Sequence, residues 1–409
     1  MCDADGEPFI KPCTQAEVDF YESAAQQHPD FAAIMPTYIG TLALTETTDE
    51  AQIHAQIPSL VEQADIPAHL KEEIQSHLHL EDREVIPAPK QPVTKKVKTT
   101  KEGSSDAKTW VPSKKLATDR AVVLENASFG YKRPNILDAK LGLRLWADNA
   151  PQQKKDRFDK IAAETTHKNF GFRVAGMRAY KGATDEEELD EEDYRVFDKD
   201  WGRLTVNDGN ITDSLRRFIF NEAAGIDEDL GRQVATRFAK DLRHVQRVLE
   251  SEESRMFSAS LLFVFEGDGE ALRAALAEEK ALFEARAQEA KAQAEEAEAA
   301  QIHVKRGATR DVCAANLRVD SGIGMSEEEM QEERFGGSGS GGGDDGNVLT
   351  IELNEADLDD EDEEQDLPDI HALKLIDFAH AEWTPGQGPD ENVLKGVRSL
   401  AELFEEMAR

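Results

Sequence analysis

Apolar residues recur along this chain in two rhythms, one with the period of a helix and one with the period of a strand. The sharpest helical pattern places Leu230, Val234, Phe238, Leu242, Val245 and Leu249 three or four apart, which predicts a core-facing helix over residues 228–250. Residues 202–220 and 393–407 carry a similar period. Residues 14–23 predict a short helix with Val18 and Tyr21 on its apolar face, and Thr14 followed by Glu17 has the spacing of a capping box at its start. The strand rhythm is strongest at residues 258–265, which read Ser-Ala-Ser-Leu-Leu-Phe-Val-Phe. Further strands are expected at residues 8–11, 38–44, 121–125, 172–180 and 372–379, with a weaker candidate at 348–353.

The segments between these elements differ in kind. Residues 50–80 are polar, helical or irregular, and residues 87–113 hold too few apolar side chains for burial to offset the entropy lost on ordering, so a flexible insert is expected there. Residues 151–166 predict a helix with Lys154, Arg157 and Lys160 three apart on one side, a cationic stripe. Residues 271–300, rich in Ala and Glu, predict a long exposed helix without the sustained leucines of a coiled coil, and residues 301–346 degrade into linker ending in a Gly/Ser tract. No internal repeat is visible.

Composition narrows the classes. A chain of 409 residues with 39% hydrophobic residues has room for one large two-lobed enzyme or for two or three domains. No run of about 18 apolar residues occurs, and the N-terminus has neither a basic start nor an apolar signal core, so a soluble intracellular protein is expected. Cys2, Cys13 and Cys313 are too scattered for a zinc site or a disulfide framework. The net charge of −35 argues against nucleic-acid binding by the surface as a whole. Charge is nevertheless uneven: residues 132–178 carry eleven Lys or Arg against five Asp or Glu, a local excess of cations suited to an anionic ligand. The runs at 185–193, with eight carboxylates in nine residues, and at 355–366 are expected to be solvated loops.

Four places carry candidate chemistry. Lys11 lies on a strand just before the helix containing Glu17. The backbone of Leu124, Glu125, Asn126 and Ala127 leaves an apolar strand and can offer C=O and N–H groups to a base. Asp138 and Lys140, two apart in an extended segment, share one face while Leu137 and Ala139 take the other. Asp377 ends an apolar strand, the setting of a metal-holding carboxylate. Each alone has an ordinary reading as a surface lysine, a turn, an ion pair or a capping Asp.

Taken together they form a known pattern. Pro134, Asp138, Lys140 and Gly142 reproduce the Pro-x-x-x-Asp-x-Lys-x-Gly signature of the inositol polyphosphate kinase family. Ser260-Leu261-Leu262 with Glu266-Gly267 resembles that family's Ser-Leu-Leu strand, and Ile376-Asp377-Phe378-Ala379-His380 resembles its metal-binding segment. Gly176-Met177-Arg178 and the closing Gly388-Pro389-Asp390-Glu391-Asn392 extend the likeness over most of the ordered chain, and the residues from Arg133 to Asp138 look most like the fungal multikinase branch.

The resemblance implies an α+β, two-lobed kinase-like fold with antiparallel sheets and an inserted substrate-binding helical segment. Residues 1–126 would form an N-lobe with a disordered insert at 87–113. Residues 127–409 would form a C-lobe containing the substrate helix 151–166, the acidic loop 185–193 and the flexible insert 301–346. The implied reaction is phosphorylation of inositol polyphosphate hydroxyls by ATP with Mg2+, from the trisphosphate to tetrakis- and pentakisphosphate. Lys11 would contact the ATP phosphates, Glu125 and Ala127 would bind adenine through backbone, and Asp138 would sit at the ribose beside the reacting centre. Lys140 would bridge the acceptor hydroxyl and the transferring phosphate, and Asp377 would hold the metal with Ser260. Lys154, Arg157, Lys160, Arg178 and His380 would bind the inositol phosphate.

The likeness further suggests a nuclear and cytoplasmic monomer that touches no nucleic acid directly and meets transcription factors through its acidic tracts. An inositol hexakisphosphate kinase, an inositol trisphosphate 3-kinase and a chiefly scaffolding protein are the alternative readings. The family carries a glycine-containing strand and turn before the phosphate lysine, whereas ten residues precede Lys11 here, so a truncated chain or a shortened nucleotide lid is expected.

Overall fold

A computed structural model of the protein describes residues 8–43, 56–64, 66–68, 70–71, 74, 118–183, 185–308, 368 and 370–409. The expectations for residues 87–113, 309–346, 348–353 and 355–366 lie outside them. Contacts divide the chain into two units, residues 1–278 with 368–409, and residues 279–367.

In the first unit, β-branched and aromatic runs pair into antiparallel sheets. Strand β1 (Phe9–Pro12), β2 (Tyr38–Ala43) and β3 (Arg120–Leu124) form a three-stranded sheet in the order β1-β3-β2. The larger sheet is built from β4 (Pro134–Leu141), β5 (Phe172–Tyr180), β6 (Tyr194–Phe197), β8 (Ser260–Glu266) and β9 (His371–Ile376), in the order β6-β5-β4-β8-β9. Two short strands, β7 (Ser254–Met256) and β10 (Ala381–Trp383), pair separately.

One face of the larger sheet is the core. Leu137, Ala139 and Leu141 of β4 and Leu261, Phe263 and Phe265 of β8 are fully buried, together with Leu375 of β9. Against them lie two amphipathic helices, α8 (Glu228–Ser251) and α10 (Glu391–Met407), whose apolar stripes include Val234, Phe238 and Leu242 on one and Val393, Val397 and Phe404 on the other. Phe404 stacks on Phe263 at 5.1 Å, and Phe238 meets both edge-on. Each fully buried aromatic contributes about 2–3 kcal/mol of transfer free energy, which fixes the register of the sheet and so the residues on its other face.

Several elements depart from the sequence reading for local reasons. Residues 202–220 form two helices, α6 (Lys199–Leu204) and α7 (Ile211–Ile219), because the Asn207 and Asn210 side chains bond nearby amides, Gly209 N–H to Asn207 Oδ1 at 2.9 Å and Asn207 N–H to Asn210 Oδ1 at 2.8 Å. The capping box at helix α1 (Gln15–Gln27) is half made: Thr14 Oγ1 accepts from the Glu17 N–H at 3.3 Å, but the Glu17 carboxylate accepts from Lys11 instead of returning to Thr14. The cationic helix is α4 (Gln152–Glu164), followed by the single turn α5 (His167–Phe170). The Ala/Glu-rich helix α9 spans Gly269–Ala308, eight residues into the stretch expected as linker, since residues 301–308 hold no proline and one glycine near their end.

Candidate active site

The opposite face of the larger sheet carries the polar residues. The side chains of β4 alternate as the pleat requires, so Ile136, Asp138 and Lys140 point away from the core that takes Leu137, Ala139 and Leu141. Cross-strand partners share a face, which adds Arg173 and Gly176 from β5, Ser260 and Leu262 from β8, and Lys374 from β9. Further along this face Ala127, Tyr131 and Val264, with Ile136, Leu262 and Ala372 against them, form a separate apolar cluster next to the exit of β3.

At the seam between the two sheets, charges converge. Lys11 Nζ donates to Asp377 Oδ1 at 2.7 Å and to Glu17 Oε1 at 2.9 Å. Lys140 Nζ donates to the Ser258 carbonyl at 2.8 Å and the Ser260 hydroxyl at 3.1 Å, and lies 3.5 Å from Asp377 Oδ2. Asp377 is held by more than these ions. Its neighbour Phe378 is fully buried and packs at 5.0 Å on Phe20 and edge-on at 5.3 Å against Tyr21 of α1, which fastens the end of β9 to the strand and helix that carry Lys11 and Glu17. Asp377 itself has φ 71°, a left-handed conformation that a non-glycine residue adopts at a cost of about 1–3 kcal/mol and that is concentrated at functional sites. Burial pushes its pKa up, yet Lys11 and Lys140 outweigh burial and hold the carboxyl below its ordinary range.

Asp138 is the counterpart. Its Oδ1 is buried with no hydrogen-bond partner, and burial raises its pKa despite Lys140, the Ser260 hydroxyl and Arg173 nearby. Arg173 directs one guanidinium N–H to the Val174 carbonyl at 3.1 Å, while its Nε is buried and unpartnered. Behind them His167 is fully enclosed; burial, then Arg173 and Lys140, pull its pKa down to about 3 against a backbone hydrogen bond to Gly142. A buried polar atom without a partner costs roughly 1–3 kcal/mol, and a cluster of them on one sheet face marks a place built for a ligand's hydrogen bonds.

The flanking motifs act as struts for this face. Glu266 accepts from the Lys132 N–H at 2.6 Å and the Arg133 N–H at 3.1 Å, and Gly267 N–H donates to the Arg133 carbonyl at 2.8 Å, which sets where β4 begins. Asn392 Oδ1 accepts from the Leu143 and Arg144 amides at 2.9 and 2.7 Å, and Asp390 accepts from the Met256 N–H at 2.7 Å, fixing where β4 and β7 end. At Gly142, φ is 106° and a Cβ would lie 2.9 Å from Asn392 Nδ2, so glycine is needed there.

Residues 121–405 match the inositol polyphosphate kinase family, which covers well over half of the chain. The chain belongs to that family. Among members it is 26% identical to the inositol polyphosphate multikinase of Saccharomyces cerevisiae over 424 aligned positions, covering 99% of this chain and 94% of the relative. It is 30% identical to human inositol hexakisphosphate kinase 3 over 149 positions, 36% of this chain and 33% of that one. The crystal structure of inositol phosphate multikinase Ipk2 from S. cerevisiae in complex with ADP and Mn2+ superposes with a TM-score of 0.52 at 21% identity, covering 99% of this chain and all of that one, so the two share a fold.

Within this inositol polyphosphate kinase the structure brings Lys11, Asp138, Lys140, Ser260 and Asp377 together. The Glu125 side chain faces inward: its carboxylate accepts from Thr37 N–H at 2.9 Å and Thr37 Oγ1 at 2.6 Å and sits 3.6 Å from Lys374, while its own amide donates to the Thr37 carbonyl. Two residues on, Ala127 joins Tyr131 and Val264 in the apolar cluster. Lys154 of α4 reaches His380 at 3.4 Å, tying the cationic helix to the segment after Asp377, and burial together with Lys154 lowers the His380 pKa.

Three further residues expected at the substrate make their contacts outside this cluster. Arg157 lies over the Phe158 ring, and exposed Lys160 faces Glu164 on its own helix at 3.8 Å. Arg178 pairs with Ile136, about 14 Å along the strand from the Lys140 pair at the usual rise per residue. There it is bound by Glu192 and Asp190 of the acidic loop and stacks 3.7 Å over Tyr194. Arg173 occupies the position beside Lys140 instead, and the sequence reading passed over it.

For a divalent cation, the donor set fits. Among the described residues no three His, Cys, Asp or Glu side chains cluster, but Mg2+ takes one or two carboxylates and completes its shell with phosphate oxygens and water. Asp377 and the Ser260 hydroxyl supply that minimal share.

Proposed function

We propose that this inositol polyphosphate kinase uses ATP and Mg2+ to phosphorylate inositol trisphosphate and then the tetrakisphosphate. The observation that carries the reading is the convergence on one sheet face of Lys140, Arg173 and the unpartnered Asp138 oxygen with Lys11 and Asp377. Each has a task in a transfer between two anions. Lys11 neutralises ATP phosphate. The Asp138 oxygen accepts a ribose hydroxyl. Lys140 and Arg173 hold the acceptor and the migrating phosphoryl group, whose spreading negative charge needs fixed cations in line with the attack. The apolar cluster around Ala127 takes the flat face of adenine, while the backbone of Glu125 and Ala127 reads its edge. Asp377 and Ser260 would hold Mg2+, which would supply charge neutralisation of the nucleotide phosphates. Lys154 and His380 close the acceptor side.

Incubating the purified protein with ATP, Mg2+ and inositol tris-, tetrakis-, pentakis- and hexakisphosphates, and separating the products, tests this. Growth of tetrakis- and pentakisphosphate from the trisphosphate is expected. Turnover of hexakisphosphate alone would replace the reading with that of a pyrophosphate-forming kinase. Arg173→Ala should raise KM for the inositol phosphate about tenfold or more and leave KM for ATP within about twofold, as expected when a bidentate phosphate contact is lost.

The acidic loop at residues 185–193 has an internal role as well as any outward one, since Asp190, Glu192 and Glu188 are engaged by Arg178 and Arg195. A nuclear scaffold function would therefore draw mainly on residues 355–366. It would be checked by deleting them and measuring partner capture.

A further inference from the structure

Strand β8 could begin earlier than it does. The sequence pattern runs extended from Ser258, but the strand starts at Ser260, because Ser258 sits at φ 63° in the left-handed region. Glycine, asparagine and aspartate are the usual occupants of that region, and serine enters it only where surrounding bonds demand it. Here they do. Ser258 Oγ donates to the Leu145 carbonyl at 2.8 Å, the preceding Phe257 N–H donates to the His380 carbonyl at 3.1 Å, and the following Ala259 carbonyl accepts from the Leu141 N–H at 2.8 Å. Three consecutive residues are thus anchored to the loop after Gly142, the segment after Asp377, and the end of β4.

The result of this anchoring is an acceptor aimed at the site. The Ser258 carbonyl takes the Lys140 ammonium at 2.8 Å, the shortest of its contacts, against 3.1 Å to Ser260 Oγ and 3.5 Å to Asp377 Oδ2. We propose that Ser258 is a positioning residue for Lys140: its left-handed backbone turns a carbonyl onto the ammonium and stops the lysine from collapsing fully onto Asp377, leaving the carboxylate free for its metal and the ammonium free to turn to phosphate. This rests on the reading of Lys140 given above.

The experiment compares Ser258→Val, whose β-branched side chain disfavours the left-handed region, with Ser258→Gly, which enters it without strain. With saturating ATP and inositol trisphosphate, the valine variant should lose about tenfold or more in kcat with KM for ATP within about twofold, whereas the glycine variant stays within about threefold of the unaltered protein. In a Lys140→Met background the valine change should add nothing, because a residue that acts through Lys140 has no route once the ammonium is gone. Limited acetylation read by mass spectrometry gives a measure that needs no turnover: Lys140 should react about fivefold more slowly in the valine variant while Lys154 and Lys160 are unchanged, as an ammonium that has collapsed onto Asp377 is held charged in a tight ion pair.

Equal losses in both backgrounds, a valine variant with kcat within about twofold of the parent, or unchanged Lys140 acetylation would each overturn the proposal. If Lys140→Met itself turned over normally, the catalytic reading of Lys140 would fall, and the acetylation result alone would still decide whether Ser258 positions it. Should the valine variant fail to melt cooperatively, Ser258→Thr, which keeps the hydroxyl, takes its place with the same expected directions.

Discussion

Replacing Lys140 with methionine separates chemistry from folding. The two side chains are similar in length and stem, so the change removes an ammonium with little loss of packing. In the folded protein that ammonium makes one short bond to the Ser258 carbonyl, a longer one to Ser260 Oγ and a 3.5 Å contact to Asp377, and its side chain is 20% exposed. Bonds of a charged donor contribute about 1.5–3 kcal/mol each before desolvation, but burying an ammonium costs several kcal/mol in the other direction. Asp377 also keeps Lys11 at 2.7 Å when Lys140 is gone. The net destabilisation should therefore be about 1 kcal/mol, a drop in Tm of about 2 °C for a unit of this size. Removal of a cation aimed at the transferring phosphoryl should lower kcat about 10²–10³-fold, or about 3–4 kcal/mol of transition-state stabilisation. Calorimetry and a steady-state assay with inositol trisphosphate give both numbers. Near-normal turnover, or a Tm loss above about 8 °C, would refute the reasoning, since the second would make Lys140 a structural residue.

Three further outcomes follow from the same geometry. Asp138→Asn should raise Tm at neutral pH by about 1–2 °C while abolishing turnover. The sign is set by its raised pKa: the stability linked to Asp138 protonation is full below its ordinary 3.8 and lost as pH rises through the folded value, so the variant's advantage should vanish in melts below about pH 4. For Glu125 burial acts upward but Lys374 and Thr37 overcome it and lower the pKa, so its contribution is present above its ordinary 4.5 and lost as pH falls below. Glu125→Gln should accordingly cost about 1–3 kcal/mol in urea unfolding at pH 7 and little at pH 3. Gly142→Ala should destabilise by about 2 kcal/mol or more by the same measurement, because its φ of 106° and the nearby Asn392 amide and Arg144 carbonyl leave no place for a methyl group.

Much of the site is legible in the sequence. The two-residue spacing of Asp138 and Lys140, set between Leu137, Ala139 and Leu141, fixes them on one face of whatever strand they join, because alternation is a property of the extended backbone itself. Likewise the apolar run before Asp377 places that carboxylate at a strand end. The motif order was equally plain from sequence, and it is what tied these residues to a family. Helix α8 was read nearly to its ends because its period is long and its Asp227 cap is local, with the side chain accepting from Leu230 N–H at 2.9 Å.

Other features needed the fold. Arg173 and Arg178 lie five apart on one strand, so simple alternation would put them on opposite faces. The pairing of Asp138 with Gly176 but Ala139 with Val174 skips Ala175, and this bulge returns both arginines to the polar face. Which of them meets Lys140 was then decided by register, and register depends on Phe263, Phe265 and Phe404 packing far along the chain. The left-handed turns at Ser258 and Asp377 were equally hidden, since bonds from distant carbonyls and the Phe20–Phe378 stack hold them there. Sequence by itself determined which groups are present and that Asp138 and Lys140 share a face. The distances among Lys11, Lys140, Asp377 and Arg173 came from tertiary structure, because contacts across hundreds of residues are set by the burial of the whole core and leave no periodic trace along the chain.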